Sequence, residues 1–284
     1  MYIYFDSRDI ITLVEKKSSV ETNKFEEKLR QCASELIFSM HNIMECCAPL
    51  VHNGETSGVM HTLNRLEQMP HVYIAEAKIE ASELEEAVSA FTERREYQPI
   101  APPFVPRFDY VVSPFEDPST KIYVNYRLSD IIYDLYKEDP TLFMGYPDHS
   151  KRLQNILKTD RKRNDYKKHE QNFPNTIIRN LQMYNIPFPR EMVSALAQWL
   201  YASPKRCPAV RLGYEVFHKL LKNITDKGEN SDIPDFVHVS CVPYVYAITL
   251  DNRMRGYVAQ ADRSLGTDYS KKVYRNLEEI EALF

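Results

Sequence analysis

Acidic side chains follow two short hydrophobic segments that lie far apart in the chain. Asp6 comes directly after the segment YIYF, and Asp251 comes directly after VYAITL. Both segments contain the aromatic and β-branched residues that favour buried strands. Ligands of open parallel sheets bind beyond the carboxyl ends of the strands. We therefore expect the two carboxylates to meet there if the strands are neighbours.

Three further acids can join this pair. Glu45 belongs to a predicted helix that follows a third apolar run, LIFSM at residues 36–40. Asp232 and Asp235 lie at the predicted start of another helix, where Pro234 is tolerated in the first turn. Carboxylates that are forced together repel each other, and Mg²⁺ or Mn²⁺ between them relieves the repulsion. Such an ion can activate water and stabilise an in-line displacement at phosphorus.

Each of these acids also has an ordinary structural interpretation. Asp6 and Asp251 could simply mark the ends of strands, and Glu45 could be an exposed carboxylate near the positive end of a helix. Asp232 and Asp235 could be helix N-caps. The combination and the order of the acids are therefore more informative than any one of them.

Glycine is scarce, and this excludes several classes of nucleotide-dependent enzyme. The chain of 284 residues contains 7 glycines, and no two of them are close enough for a G-x-G motif. Phosphate-binding loops need such glycines because the backbone must approach the phosphate closely. We therefore predict no Walker A loop, no dinucleotide-binding loop and no kinase glycine loop. A G-x-S-x-G nucleophile elbow is absent as well.

Neither the cysteine spacing nor the apolar runs indicate a structural metal or a membrane span, and the net charge indicates no particular partner. The formal net charge is −4, from 36 basic and 40 acidic residues, so composition alone does not indicate nucleic-acid binding. The 5 cysteines show neither a C-x-x-C motif nor zinc spacing, and we expect them to be reduced. We recognise no signal peptide and no apolar run that could span a membrane. These features lead us to expect a cytoplasmic protein with no membrane partner.

The pattern of elements predicts an α/β fold with a mainly parallel sheet flanked by helices. Short apolar runs alternate with helical segments through residues 1–95 and again through residues 206–284. Between them, six prolines occur from Pro99 to Pro118, and a tyrosine-rich, mostly helical segment follows. We therefore predict a discontinuous α/β core in the two outer segments. Residues 96–205 would form a proline-rich linker and a helical insertion.

The insertion carries a basic run at residues 151–168, KRLQNILKTDRKRNDYKK. Eight lysines and arginines stand there against two aspartates. Clustered cations such as Lys162 and Arg163 can bind a phosphate backbone, because binding releases counterions from the nucleic acid. A solvated helix face is the alternative interpretation of the same run.

The order of the acidic motifs resembles that of the PIN-domain nucleases, the family of the PilT N-terminus. YIYFDS, with Asp6, resembles the first strand of that family and its first acid. LIFSMHNIMEC, with Ser39 and Glu45, resembles the strand and helix that bear the second acid. DIPDFVHVSC resembles a helix in which an acid precedes a histidine by three residues, here Asp235 and His238. KKVYRNLEEIEAL resembles the family's final short strand and helix.

The resemblance continues through the last predicted strand, with one departure. VPYVYAITLDNRMRGYV supplies Thr249, Asp251 and Arg253 in the family's order. In many relatives, however, another acid stands at the position of Tyr246. If that acid binds metal, this chain has one ligand fewer, and Asp232 could compensate. The likeness covers both segments of the predicted core and leaves the insertion out.

The resemblance implies a metal-dependent nuclease that hydrolyses phosphodiester bonds, of RNA rather than DNA, with Mg²⁺ or Mn²⁺. The implied catalytic acids, which would also hold the metal, are Asp6, Glu45, Asp235 and Asp251, and Asp232 would be a further metal ligand. The residues expected to orient these groups are Ser7, Thr249 and His238. The residues expected to contact substrate phosphate are Arg253, Arg211, Lys162 and Arg163.

A binding module is the main alternative to an enzyme. With Tyr246 in place of an acid, a PIN-like fold with a degenerate site could bind RNA or a regulatory protein partner such as an antitoxin, as a monomer or an oligomer. A haloacid-dehalogenase-type phosphatase also has an aspartate after its first strand. It needs a second aspartate two residues later, where this chain has Arg8. Metal affinity would distinguish an intact acidic cluster from a defective one.

Overall fold

One sheet of six strands organises the described part of the chain. The computed structural model describes residues 1–16, 18–54, 56–113, 126–143, 147–163, 165–228 and 232–284. The strands are β1 (Tyr2–Tyr4), β2 (Glu35–Ser39), β3 (His71–Ile74), β4 (Phe104–Val105), β5 (Ala247–Thr249) and β6 (Val273–Tyr274). Their order in the sheet is β4-β3-β2-β1-β5-β6, and all neighbours are parallel except β3 and β4. The prediction of an α/β fold with a mainly parallel sheet is therefore confirmed.

Helices connect the strands and also form most of the insertion. In the first segment they are α1 (Ser7–Ile11), α2 (Ser19–Gln31), α3 (Met40–Cys46), α4 (Ala48–Asn53), α5 (Thr56–Gln68) and α6 (Glu76–Thr92). In the insertion they are α7 (Asp109–Val112), α8 (Leu128–Glu138), α9 (Pro147–Arg163), α10 (His169–Met183) and α11 (Val193–Tyr201). In the last segment they are α12 (Pro208–Lys222), α13 (Asp232–Cys241), α14 (Asn252–Leu265) and α15 (Leu277–Glu281). None of the described helices has the length and apolar character that a membrane span requires.

The strand order reverses at β1, in the middle of the sheet. From β1 the chain moves outward to β2 and β3, and after the insertion it returns to β5 on the other side of β1. Tyr4 of β1 pairs with Ile37 on one side and with Ile248 on the other. A reversal of this kind leaves a crevice at the carboxyl ends of the two central strands. The fold therefore brings the ends of β1 and β5 together, as the predicted proximity of Asp6 and Asp251 requires.

The sheet is buried on both faces. Successive side chains of a strand point to opposite sides, and each side packs into its own hydrophobic cluster. Ile3 and Phe5 pack into one hydrophobic cluster with Leu36 and Phe38. Tyr4 packs into a second cluster on the opposite face, with residues of α12, α13 and α14. This burial explains why the strands have nearly continuous apolar sequences rather than alternating ones.

The insertion packs against the core on both faces of the sheet and against α6, with Leu153 and Leu157 of α9 in the second-face cluster. Phe108, Val111 and Ile131 join the first-face cluster of the sheet. α10 and α11 form a third cluster with α6 and α12. The sequence analysis assigns residues 99–118 to a linker, whereas the structure adds β4 to the edge of the sheet. A strand of two residues preceded by prolines leaves no periodic signal, and proline is tolerated at a sheet edge.

A buried carboxylate joins α6 to the start of α12. Glu83 is 0% exposed, and its carboxylate oxygens accept hydrogen bonds from the backbone N–H groups of Ala209 (2.7 Å) and Val210 (3.0 Å). The hydroxyl of Tyr244 donates to the same carboxylate. Burial raises the pKa of Glu83 to about 8, although these hydrogen bonds oppose the shift. The first N–H groups of a helix have no acceptor within the helix, and the carboxyl group of Glu83 supplies acceptors to two of them at the start of α12.

We predict that Glu83→Gln lowers the free energy of unfolding by about 1–3 kcal/mol at pH 5, because both oxygens of the neutral carboxyl can still accept the backbone N–H groups, whereas an amide N–H₂ cannot accept either of them. The pKa of Glu83 lies above its ordinary value of 4.5, so the folded state holds the proton longer than the unfolded state. The contribution of Glu83 to stability is therefore full below pH 4.5 and is lost as the pH rises toward 8. Denaturant unfolding at several pH values measures both effects.

The matched control is Glu85→Gln, which changes an exposed carboxylate on the same helix. It should alter stability by no more than about 0.5 kcal/mol and leave the pH dependence unchanged. Equal stability of Glu83→Gln and the parent protein across the pH range would contradict the proposed role of Glu83.

Candidate functional site

The ends of β1, β2 and β5 are followed directly by helices whose first turns are capped by side chains. Asp6 caps α1, with Oδ1 accepting the N–H of Arg8 at 3.1 Å. Ser39 caps α3 through its hydroxyl oxygen. Asp251 caps α14, with Oδ1 accepting the N–H of Met254 at 2.6 Å. Asp6 and Asp251 do mark the ends of strands, as their ordinary interpretation has it, and both are also helix caps, a role expected above only for Asp232 and Asp235. Each still places a carboxylate at the same edge of the sheet.

A buried imidazole lies between the acids at this edge. His238 on α13 is 1% exposed, and its Nε2 lies 3.8 Å from Oε2 of Glu45 on α3. The hydroxyl of Tyr4 lies 2.5 Å from Nδ1 of His238 and 2.8 Å from Oγ of Ser39. Ser7 donates a hydrogen bond to Oε2 of Glu45. This network links β1, β2, α1, α3 and α13, and we call the region around it and Asp6, Glu45, Asp235 and Asp251 the carboxylate crevice.

The charges of the crevice are coupled to one another. Burial lowers the pKa of His238, but the Glu45 carboxylate 3.8 Å away, with the charges of Asp6 and Asp235, leaves it above its ordinary value. Burial raises the pKa of Glu45, but the nearby imidazole of His238 and the hydrogen bond from Ser7 outweigh it and hold this pKa below its ordinary value. Burial also raises the pKa of Asp6, and there it prevails over the charge of His238. The imidazole therefore favours the charge of Glu45 more than that of Asp6.

The three residues expected to orient the acids all lie beside them. Ser7 and His238 contact Glu45, as described above. Thr249 is fully buried at the end of β5, and its Oγ1 accepts the backbone N–H of Asp6 at 2.8 Å. The start of α1 is thereby tied to the neighbouring strand. Tyr4 and Asn42 complete this framework and were missed by the sequence analysis, because a strand pattern does not reveal which buried hydroxyls or amides will meet.

The two acids of α13 differ in what the structure describes. Asp235 is buried, and its charge helps to raise the pKa of His238, so it lies on the crevice side of the helix. Asp232 is the first residue of α13, but its side chain lies outside the described part of the structure.

Two of the arginines expected to contact substrate are engaged within the protein. Arg253 binds Asp226, with Nε 2.7 Å from Oδ2 and Nη2 2.7 Å from Oδ1. Arg211 is 3% exposed, and its guanidinium carbon lies 4.2 Å from the ring centre of Tyr201 and 4.8 Å from that of Phe173. Burial lowers the pKa of Arg211. These contacts give both arginines a structural role, which the sequence pattern could not distinguish from phosphate binding.

The basic run is divided between structural and exposed cations. Arg161 donates to the carbonyl oxygens of Leu220 (2.7 Å) and Leu221 (3.1 Å) at the end of α12. Lys162 and Arg163, in the last turn of α9, are exposed. One part of the run therefore fixes α9 to the core, and the other part is accessible to a ligand.

A small cavity beside the crevice carries positive charge that the sequence analysis missed. It has a volume of about 270 Å³, and we call it the arginine cavity because its lining is Arg8, Asn252, Arg275 and Asn276. Arg8 follows Asp6 by two residues, and Asn252 follows Asp251 directly. Nη2 of Arg8 lies 3.1 Å from the carbonyl oxygen of Arg275 and 4.0 Å from Oδ2 of Asp6. The sequence could indicate this cavity, because each lining residue follows the end of a strand at this edge of the sheet.

Tyr246 lies at the opposite end of β5 from the crevice. Its N–H donates to the carbonyl oxygen of Tyr2, the first residue of β1, at 2.8 Å, and its side chain is 52% exposed. At about 3.3 Å per residue, position 246 lies about 16 Å along the strand from Asp251. An acid at this position would not reach the carboxylate crevice, so its replacement by tyrosine removes no ligand there.

The donor chemistry of the crevice fits Mg²⁺ or Mn²⁺ only as an open site. Mg²⁺ is commonly bound by one or two carboxylates, with waters and substrate phosphates as its other ligands. Asp6 and Glu45 are oxygen donors of this kind, and the raised pKa of Asp6 shows that a neighbouring cation would favour its charge. Within the part of the chain that the structure describes, no group of three or more His, Cys, Asp or Glu residues is placed to hold a metal ion. A closed cage of protein ligands is therefore not present among these residues.

Comparison with known proteins identifies no relative, so the function is inferred from the geometry of the site. No protein-family profile, no curated protein and no solved structure matches the chain.

We predict that Glu45→Gln lowers the pKa of His238, because it removes the largest interaction that favours the charged imidazole. The stability contributed by this pair is full below the ordinary histidine pKa of 6.5 and is lost as the pH rises through the raised value in the parent protein. Titration of the imidazole resonances by NMR measures the shift directly. Glu85→Gln is the control, and an unchanged His238 titration in Glu45→Gln would show that the two side chains do not interact.

Proposed function

We propose that this chain is a metal-dependent nuclease with a PIN-like core, which hydrolyses phosphodiester bonds, of RNA in preference to DNA. One observation carries the proposal. Asp6 and Asp251 follow neighbouring parallel strands at the point where the strand order reverses, and His238 connects Asp6 electrostatically with Glu45. This is the place in an open α/β sheet where ligands bind.

The arrangement of charge supports a phosphodiester as the substrate. A phosphodiester is an anion, and the arginine cavity contains Arg275 and Arg8, whose Nη2 lies 4.0 Å from Oδ2 of Asp6. Guanidinium groups bind phosphate oxygens with charge-assisted hydrogen bonds. Carboxylates and arginines at adjacent positions can therefore hold a metal ion and a phosphate side by side.

The residues of the crevice would divide the work as follows. When bound, Mg²⁺ or Mn²⁺ supplies a Lewis acid that activates water and neutralises charge at phosphorus. Asp6 and Glu45 would hold the ion, and Asp235 and Asp251 would add negative charge around it. Ser7 and His238 fix the orientation of Glu45 and keep it ionised. Thr249 fixes the backbone of Asp6.

A non-catalytic module that binds RNA or a protein partner is the second candidate. It is favoured by the open donor set, because the described side chains include no three-ligand metal group. The position of Tyr246 does not add to it, since that residue lies at the other end of β5. Metal binding by the acids separates the two candidates, because a module without catalysis does not require it.

We predict that Asp6→Asn and Asp251→Asn each reduce metal-dependent cleavage of single-stranded RNA by about 100-fold or more, because each removes a negative charge that would help to hold the metal ion beside the reacting phosphate. Asp268→Asn, at an exposed aspartate far along the chain, is the control and should cleave like the parent protein. Thermal unfolding would establish that the variants fold. Parental activity in both crevice variants would refute the assignment of the site.

We also predict that Arg275→Ala and the double variant Lys162→Ala/Arg163→Ala bind single-stranded RNA more weakly. Each lost phosphate contact should reduce the slope of log affinity against log salt by about 0.7. Lys205→Ala, at an exposed lysine between α11 and α12, should leave the slope unchanged. A parental slope in Lys162→Ala/Arg163→Ala would return the basic run to a solvated face, and a parental slope in Arg275→Ala would exclude the arginine cavity from the binding path.

A further inference from the structure

A second and larger cavity lies where the insertion meets the core. It has a volume of about 490 Å³, within the range of small-ligand sites, and we call it the Glu80 cavity. Its apolar lining includes Met40 of α3, Val111 of α7, Met183 of α10 and Phe236 of α13. With α6, which carries Glu80, five helices from different parts of the chain therefore line one pocket.

The Glu80 cavity is adjacent to the carboxylate crevice. His41 lines the cavity, and its ring centre lies 6.4 Å from that of His238. The charge of His41 also lowers the pKa of Glu45. α13 contributes to both sites, since His238 faces the crevice and Phe236 lines the cavity. A group bound in the cavity would thus be separated from the crevice by the side chains of two histidines.

The polar groups of the cavity suit a ligand that donates hydrogen bonds. Glu76 is already engaged, because it accepts the N–H groups of Met40 and His41 at 3.2 Å each and the Nδ1 of His41. Oε2 of Glu80 accepts hydrogen bonds from Nδ2 of Asn180 and from the hydroxyl of Tyr184, both at 3.3 Å. No hydrogen bond to its second oxygen, Oε1, occurs among the described residues, so this oxygen is the acceptor left for a ligand. Burial raises the pKa of Glu80, so a ligand that donates hydrogen bonds would stabilise its charged form, whereas an anion would oppose it.

Apolar walls around a carboxylate acceptor match a planar heterocycle with N–H donors. Guanine has two adjacent donors on its Watson–Crick edge, the ring N1–H and the exocyclic amino group. The single N–H of uracil is flanked by two carbonyl oxygens, which a carboxylate repels. Flipped bases of single-stranded RNA are commonly read through this edge and through contact of their faces with apolar or aromatic side chains.

We propose that the Glu80 cavity binds a guanine base of the RNA substrate next to the scissile phosphodiester, with Glu80 accepting hydrogen bonds from its Watson–Crick edge. This inference deepens the proposed nuclease function and depends on it for the identity of the ligand. Asn180 and Met183 come from α10 and Tyr184 directly follows it, so the insertion supplies the groups that hold Glu80 and close the pocket. The insertion would then determine sequence preference, while the core supplies the reacting groups.

The test measures binding of guanosine, adenosine, cytidine and uridine to the full chain by calorimetry, with no metal present. We expect guanosine to bind most tightly and Glu80→Gln to weaken it by about tenfold or more, because an amide then presents N–H donors to the base. Glu85→Gln, on the exposed face of the same helix, should bind like the parent protein. Ala77→Trp fills the cavity from an exposed position and should abolish binding without altering Glu80.

Equal affinity for the four nucleosides, or parental guanosine affinity in Glu80→Gln and Ala77→Trp, would overturn the proposal. Cleavage of mixed-sequence RNA, measured in parallel, separates this failure from failure of the nuclease. Cleavage that depends on Asp6 but shows no guanosine preference would leave the nuclease standing and refute the base site. Guanosine binding that is lost in Glu80→Gln, in a protein that cuts no RNA, would support the base site and contradict the nuclease.

Discussion

The position of His238 among carboxylates is the interaction on which the candidate site depends. Its buried imidazole lies close to Glu45 and interacts with the charges of Asp6 and Asp235. Without a cation there, burial of several carboxylates at one place would be unfavourable, and their pKa values would rise. Because Tyr4 holds the other ring nitrogen, the orientation of the imidazole is set by β1. A core strand thus controls the electrostatics of the crevice.

This interaction also explains why the two outer segments of the chain must fold together. Glu45 and Ser7 come from the first segment, whereas His238 and Thr249 come from the last. The parallel pairing of β1 with β5 joins the two segments across a long separation in sequence. Glu83 provides a second link between them, through the start of α12. The insertion can therefore occupy the middle of the chain without interrupting the site.

The sequence predicts those parts of the structure that depend on local pattern. The runs that form β1, β2 and β5 are apolar and end at polar residues, so the positions of Asp6, Ser39 and Asp251 follow from the sequence. The tertiary partners of longer side chains do not follow, because they are set by contacts between distant elements. The sequence predicts that Arg253 contacts substrate, whereas in the structure it pairs with Asp226 from the loop that follows α12.

If the acids of the carboxylate crevice hold a divalent ion, the protein binds Mn²⁺ in the absence of substrate. Electron paramagnetic resonance of free Mn²⁺, titrated with the protein, counts the bound ions without any requirement for substrate. We expect a bound ion that Mg²⁺ displaces and that Asp6→Asn and Glu45→Gln release, while Asp268→Asn retains it. Absence of Mn²⁺ binding by the folded parent protein, or equal binding by the crevice variants, would show that these acids hold no ion.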